Sequence, residues 1–510
     1  MNIGLLPLDE RPVNTRYPQA VAEIGGAQLH LPPRQALCHF RRPAEVPALL
    51  GWLDEAAPRL DALVACFEML GYGGLIASRT SQESASTVLG RLQALAALKR
   101  GRPALRVAGF NLIMRVSNAN SAVEEPEYWA HCGERLYHYS QLLDRQEQAH
   151  PASQDVAREL NELRDSLPAE AVADFLQRRL RNHTVNLTGL HMLSRGVLDL
   201  LVLSSDDTSP FGLPSSEKRT LSAWASRLGL SERLLMYPGA DEVGSVLVAR
   251  LLNQFAGRTP TFEVYYALPG GEAITAPFED GPVAVTVERQ IRAVGGQVAG
   301  GEAGQADFWL AVNPPVPRRS EWSPDHAAQE RLERLPYLRQ LALQVKQRLE
   351  QGQAVVVADV AYPNGADPAL VEALFEQVQV ARLAAYGAWN TAGNTLGVAL
   401  AQACASRLVV TAEQANAQRR FLLHRFLEDW GYQQVVRREV RQWLQETYHL
   451  EEVEPAVEAG CAAFITGRLR RCLDQIPGFD GFGLKENSVW LPWGRLFEVD
   501  FEIEGQRPGL

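Results

Sequence analysis

The sequence predicts an α/β fold built on mainly parallel strands, and two patterns carry the prediction. Short β-branched or apolar runs recur at residues 3–8, 28–31, 62–67, 105–112, 198–203, 234–237, 262–267, 308–312, 354–360 and 383–386. Several are apolar throughout, as strands buried on both faces of a parallel sheet must be. Helix-period stretches at 84–99, 242–255, 329–350 and 395–405 lie between runs, and alternation of this kind implies βαβ crossovers. About ten such runs favour an elaborated (β/α)8-type barrel, with two tandem doubly wound parallel sheets as the alternative.

Two stretches break the rhythm. Residues 116–190 hold no strand run and much helical pattern. They read as an insertion between two βα units, of the kind that shapes a lid. After residue 405 the chain turns helical to about residue 473, then closes on Trp490-Leu491-Pro492-Trp493 and an alternating segment, 496–503, that suits a strand. The expected organisation is an α/β catalytic body over 1–405, carrying the insertion 116–190 and a sub-boundary near 258–261, followed by a helical C-terminal region over 406–510.

Composition narrows the function classes. The 510 residues are 46% hydrophobic and 22% charged, an ordinary globular balance. A net charge of −10 disfavours nucleic acid as a partner, because phosphate binding needs a basic surface. The one dense basic run, 419–441, is interleaved with acids and aromatics and reads as a solvated helix face. The six cysteines (Cys38, Cys66, Cys132, Cys404, Cys461, Cys472) form no CxxC pair, so free thiols and a cytoplasmic setting are expected. The opening residues carry no secretory leader pattern, and no apolar stretch approaches bilayer length, so no membrane partner is expected. Dinucleotide, P-loop, nucleophile-elbow and HExxH motifs are absent, and no cofactor is expected.

In parallel α/β folds ligands sit at the carboxyl ends of strands, so the residues just after each run matter most. There the chain places Asp9, Glu10, Arg11 and Asn14, then Glu68, Tyr72 and Arg79, then Arg115 and Asn118. Later runs end in Asp206 and Asp207, in Asp241, in Asp359 and Asn364, and in Trp389, Asn390 and Asn394. Taken singly, such residues are ordinary turn and helix-cap residues. Repeated acids, amides and aromatics at most strand ends point instead to a binding site. The pair Asp206-Asp207 is the sharpest signal, because adjacent strand residues serve one site only just beyond the strand's end. Two like carboxylates push one pKa upward, leaving an acid beside a base. The same pair could hold Mg²⁺ or Mn²⁺.

Taken together, these motifs resemble a family. Pro7-Leu8-Asp9-Glu10-Arg11-Pro12-Val13-Asn14, Tyr72-Gly73-Gly74-Leu75 with Ser78-Arg79, and Asp206-Asp207-Thr208-Ser209-Pro210-Phe211-Gly212 are three of them. Gly239-Ala240-Asp241-Glu242 and Trp389-Asn390-Thr391 are two more. Over nearly the whole chain they resemble a bacterial domain-of-unknown-function family, the four-one-two-seven family, which brings no activity with it. The resemblance implies Asp before the Tyr-Gly-Gly stretch, where this chain has Glu68. A ligand held closely there would be shifted by the longer side chain.

At motif level only, an Asp-Asp pair with later Trp and Asn is similar to hexosaminidases that use the substrate's own acetamido group as nucleophile. That likeness implies that Asp206 orients the acetamido group and Asp207 protonates the leaving oxygen, while Trp389 and Asn390 hold the sugar. The expected protein is therefore a hydrolase of a small carbohydrate, a glycosidase working without a metal. One alternative is a divalent-metal-assisted hydrolase, lyase or isomerase in which Asp9, Glu10, Asp206, Asp207 and Asp359 share an ion. Another is a non-catalytic carbohydrate-binding protein. Asp9, Arg11, Glu68, Asp206, Asp207 and Asn390 are expected in one pocket, the insertion over its mouth, and Asp207 with a raised pKa. The C-terminal helices are expected to brace the body and add at most one or two site residues.

Overall fold

The computed structural model describes residues 1–148, 154–206, 208–300, 306–317 and 320–505. All ten apolar runs form strands. The first sheet holds β1 (Asn2–Leu6), β2 (Gln28–His30), β3 (Ala62–Cys66), β4 (Arg106–Ile113), β5 (Leu200–Ser205) and β6 (Leu234–Leu235). Their order is β2-β1-β3-β4-β5-β6, and every pairing is parallel. The second holds β7 (Thr261–Tyr266), β8 (Gln297–Val298), β9 (Phe308–Asn313), β10 (Ala354–Asp359) and β11 (Ala385–Gly387), ordered β11-β10-β9-β7-β8 and again parallel. Strand β8 escapes a hydropathy reading because it is a two-residue edge strand exposed at both positions.

The strand pairing gives two parallel sheets, of six and five strands; the single ring that the sequence favoured is not seen among these pairings. In chain order the first sheet runs 2-1-3-4-5-6 and the second 2-1-3-4-5, the doubly wound order. The winding reverses between β1 and β3 in one sheet and between β7 and β9 in the other. Ligands bind outside the carboxyl ends of the strands at such reversals.

The chain clusters into two compact units. The first comprises Met1–Glu10, Gln28–Gly244 and Phe278–Asp280; the second comprises Arg11–Ala27, Ser245–Pro277 and Gly281–Leu510. In the first unit, β3 and β5 are buried at every residue, and the helix Ala169–Ser194 packs on β4 and β5. In the second, Trp309, Val355, Val357 and Tyr386 share one core with Leu422, Phe426 and Tyr432. Tyr386 and Phe426 stack at 4.0 Å. The helix Pro12–Ile24, which follows β1 in sequence, packs in this unit against the helices Ala392–Ser406 and Ala412–Phe426.

Three expectations are corrected. The insertion read over 116–190 includes the β4-to-β5 crossover helix itself, Ala169–Ser194, and Glu124 and Glu125 stand before its first helix, Trp129–Gln148. Residues 406–505 cluster with the second sheet and share its core, because the apolar side of Ala412–Phe426 is what covers β11. The closing segment is not one strand: Pro492–Gly494 turns the chain, Trp490 bridges Asp500 antiparallel, and Gly483–Leu484 pairs with Ile503–Glu504. Its alternation still buries Leu491, Leu496, Val499 and Phe501.

Candidate functional site

In the first unit the site forms where β3 runs straight into the short helix Phe67–Tyr72. Glu68 sits in that first helical turn and is 1% exposed. Its carboxyl accepts the Leu112 N–H at 2.6 Å and the Cys66 thiol at 3.2 Å. Burial nevertheless dominates and pushes its pKa up to about 7, because the charged form loses more hydration than these donors return. With its amide nitrogen turned toward the carboxyl, Asn111 donates to both Glu68 oxygens, at 2.9 and 3.0 Å.

Beside Glu68 runs a ladder of charges. Arg79 pairs with Asp206 and, at 2.9 Å, with Glu124. Arg115 reaches Glu124 and Glu125, each at 3.0 Å. Glu68, Ser78, Arg79, Arg115, Asn182 and Asp206 line a cavity of about 10 Å³, room for about one water. Asn182 comes from the crossover helix and bonds the β4 end through Met114 N–H (3.2 Å) and Leu112 carbonyl (3.1 Å). The segment carrying Glu124 and Glu125 therefore lies at the carboxyl ends of the strands, on the side the lid reading requires.

The other expected residues of this unit have structural partners or lie apart. Glu10 accepts the Cys38 thiol and the Phe40 N–H, each at 3.1 Å, and faces His39 Nδ1 at 3.2 Å, so it ties down the 38–42 loop. Burial, then the Glu10 and Asp9 charges, push the Cys38 thiol well above its usual range. The Arg181 guanidinium stacks over Tyr72 at 4.9 Å. Asp241 is buried before the helix Val243–Phe255, and Asn118 is exposed. Asp207 lies outside the described residues, so its side chain and pKa enter no geometry here.

Arg11, Asn14, Asp359, Asn364, Trp389, Asn390 and Asn394 belong to the second unit, which builds its own strand-end cluster. Arg11 stacks on Trp493 at 4.4 Å and faces Glu498 at 3.6 Å, while Asn14 is buried in the helix that Arg11 precedes. Asp359 accepts Asn313 Nδ2 at 2.8 Å and the Asp367 N–H at 2.6 Å. Burial, reinforced by the Asp367 charge, raises its pKa. Asn364 and Asn390 both hold left-handed backbone, φ +58° and +60°, and the Asn364 N–H donates to the Asn390 carbonyl at 3.0 Å. Strained non-glycine backbone of this kind gathers at functional loops. Trp389 is buried edge-on to Phe497 rather than free to stack on a sugar. Thr391 caps the helix Ala392–Ser406 by accepting the Asn394 N–H.

A family model described as "Protein of unknown function (DUF4127)" matches residues 3–502. The chain belongs to that family. No curated protein and no solved structure matches it. In this DUF4127 chain, no helix among the described residues is long and apolar enough to cross a membrane. Nor, among those residues, is any group of three or more His, Cys, Asp or Glu side chains arranged to hold a metal ion.

Sequence reasoning missed several buried polar groups of this DUF4127 chain. Asn313 is the last residue of β9 and Asp367 caps the helix after β10, so the strand-end rule could have found them. The basic run 419–441 is the larger miss. Arg425 is 1% exposed and pairs with Glu428, with Asp429 (3.1 Å) and with the Tyr17 hydroxyl. Asp429 in turn accepts the Ala388 N–H through its side chain (2.7 Å) and the Ala366 N–H through its carbonyl (2.9 Å), fastening the loops after β11 and β10. Glu428 and Asp429 lie in a π-helical stretch, Leu427–Val436, a widened turn that often marks a functional place. Mutual neutralisation lets these charges be buried instead of solvated.

Proposed function

We propose that the protein is a hydrolase that cleaves a small carbohydrate by acid–base catalysis in the first unit. The observation that carries this reading is Glu68, wholly buried and poised near neutrality, in a cavity with an Asp206 carboxylate paired to Arg79. A carboxyl raised by burial beside a carboxylate paired to an arginine offers an acid and a base. Glu68 thus takes the proton-holding role that the motif likeness gave to Asp207, and Asp206 the ionised role; Asp207 remains the second candidate acid. Around the cavity Arg79 and Arg115 meet three carboxylates, Glu124, Glu125 and Asp206. That balance leaves no excess positive charge for an anionic substrate and suits an uncharged polyol, whose hydroxyls donate to carboxylates. A ligand larger than water enters only if the Arg79–Glu124 and Arg115–Glu124 pairs part, so the stretch carrying Glu124 and Glu125 acts as the lid. Six buried free cysteines support a reducing, cytoplasmic setting.

The test is a panel of aryl glycosides, including acetamido sugars, assayed with wild type, Glu68→Gln, Asp206→Asn and Asp207→Asn across pH. Loss of an acid or base costs about 100- to 10,000-fold in rate. Wild-type turnover that Glu68→Gln leaves unchanged at every pH removes Glu68 from the chemistry. Activity restored only by added divalent ion points to the metal-assisted alternative, and sugar binding without turnover points to the binding-protein alternative.

A further inference from the structure

Beyond the reaction proposed for the first unit, we infer that the second unit has a binding site of its own, for the carboxylate group of a small organic acid, centred on Arg334. Trp322, Arg331, Arg334, Tyr362 and Asp367 line a cavity of about 30 Å³. It opens at the carboxyl ends of β9 and β10, where a doubly wound sheet takes its ligands. Arg334 is 6% exposed, its guanidinium lies over the Tyr362 ring at 5.8 Å, and its hydrogen bonds run through Nη2. That atom donates to Asn313 Oδ1 and to the Pro314 carbonyl (3.4 Å), with Asp367 3.5 Å away. Among the described residues, Nε and Nη1 have no hydrogen-bond partner.

A buried guanidinium with two idle donors is costly, so native structures seldom retain one without a ligand or water to satisfy it. The donors call for an oxyanion, since guanidinium bonds to carboxylate are charge-assisted. Size and charge select within that class. The cavity accepts only a few heavy atoms, between an indole and a phenol ring. Arg331 is already paired with Glu372, and Asp367 stands beside Arg334. With Arg331 held by Glu372 and Arg334 facing Asp367, no surplus positive charge is left to offset a dianion, which favours a planar monoanion over a dianionic phosphate.

The experiment uses the full chain at constant ionic strength, titrated with formate or acetate, and with chloride and phosphate as comparison anions. Saturable increases in Tm and a saturable change in tryptophan fluorescence are expected with the carboxylates alone. Trp322→Phe should abolish the fluorescence change and keep the Tm response, while Arg334→Gln should abolish both. If Arg334→Gln does not fold, Asp367→Asn decides: it retains a helix-capping side chain but removes the competing charge, so carboxylate affinity should rise severalfold. Unsaturable responses, equal responses to chloride, preference for phosphate, or affinity unchanged in Asp367→Asn would each overturn the inference. None of these readouts depends on Glu68 or on turnover.

Discussion

Replacing Glu68 with glutamine separates burial from chemistry, because glutamine copies the shape of the protonated acid. Its carbonyl can accept the Leu112 N–H, as the carboxyl does. Glu68 is raised from 4.5 to about 7 by burial. For an acid raised in this way, the native state binds the extra proton, so stability falls as pH climbs from the unfolded value to the folded one. Between pH 5 and pH 8 the loss from this group is about 2–3 kcal/mol. Glu68→Gln cannot ionise and escapes that loss. The variant should gain about 2–3 kcal/mol relative to wild type on going from pH 5 to pH 8. Urea denaturation at both pH values measures the difference, and hydrogen exchange at β3 and β4 amides reads it in this unit alone. If the stability difference between variant and wild type is the same at both pH values, Glu68 is ionised in the fold. Its role as proton holder then fails.

Three other outcomes are expected. Asp206→Asn should leave the melting curve close to wild type, since Arg79 keeps Glu124, while turnover on glycosides falls about 100-fold or more; an unimpaired rate would count against the site. Arg425→Met strands Glu428 and Asp429 in the core, so chemical denaturation should register a loss of about 3–5 kcal/mol, and a loss under about 1 kcal/mol would mean that the cluster is hydrated. Gly73 has φ +88°, and a Cβ there would stand 2.8 Å from the Ala44 backbone nitrogen, so Gly73→Ala should cost at least about 1–2 kcal/mol in the same assay.

The strands and their order of appearance were legible in the chain itself. Apolar runs such as Ala354-Val355-Val356-Val357-Ala358 carry their burial in local composition, and the parallel crossovers follow from the helices between them. So were the strand-end residues Glu68, Arg79, Arg115 and Asp206, which the fold brings to one cavity in the first unit. Periodicity is a local property, however, and it does not say which strands share a sheet. Ten runs favour a ring in sequence, and the division into a six-stranded and a five-stranded sheet appears only in the pairings, such as Ile3 opposite Ala62 and Phe262 opposite Phe308. Nor does it show that a charge will be buried. Tyr17 and Glu428 meet across 411 positions and Glu68 and Leu112 across 44. The Arg425 cluster therefore looks like a solvated helix face in sequence, and Glu68 looks like a helix-start acid. Residue type and spacing determined what could stand at the strand ends. Desolvation and long-range pairing, which exist only after folding, decided which of those groups keep a proton and which keep a charge.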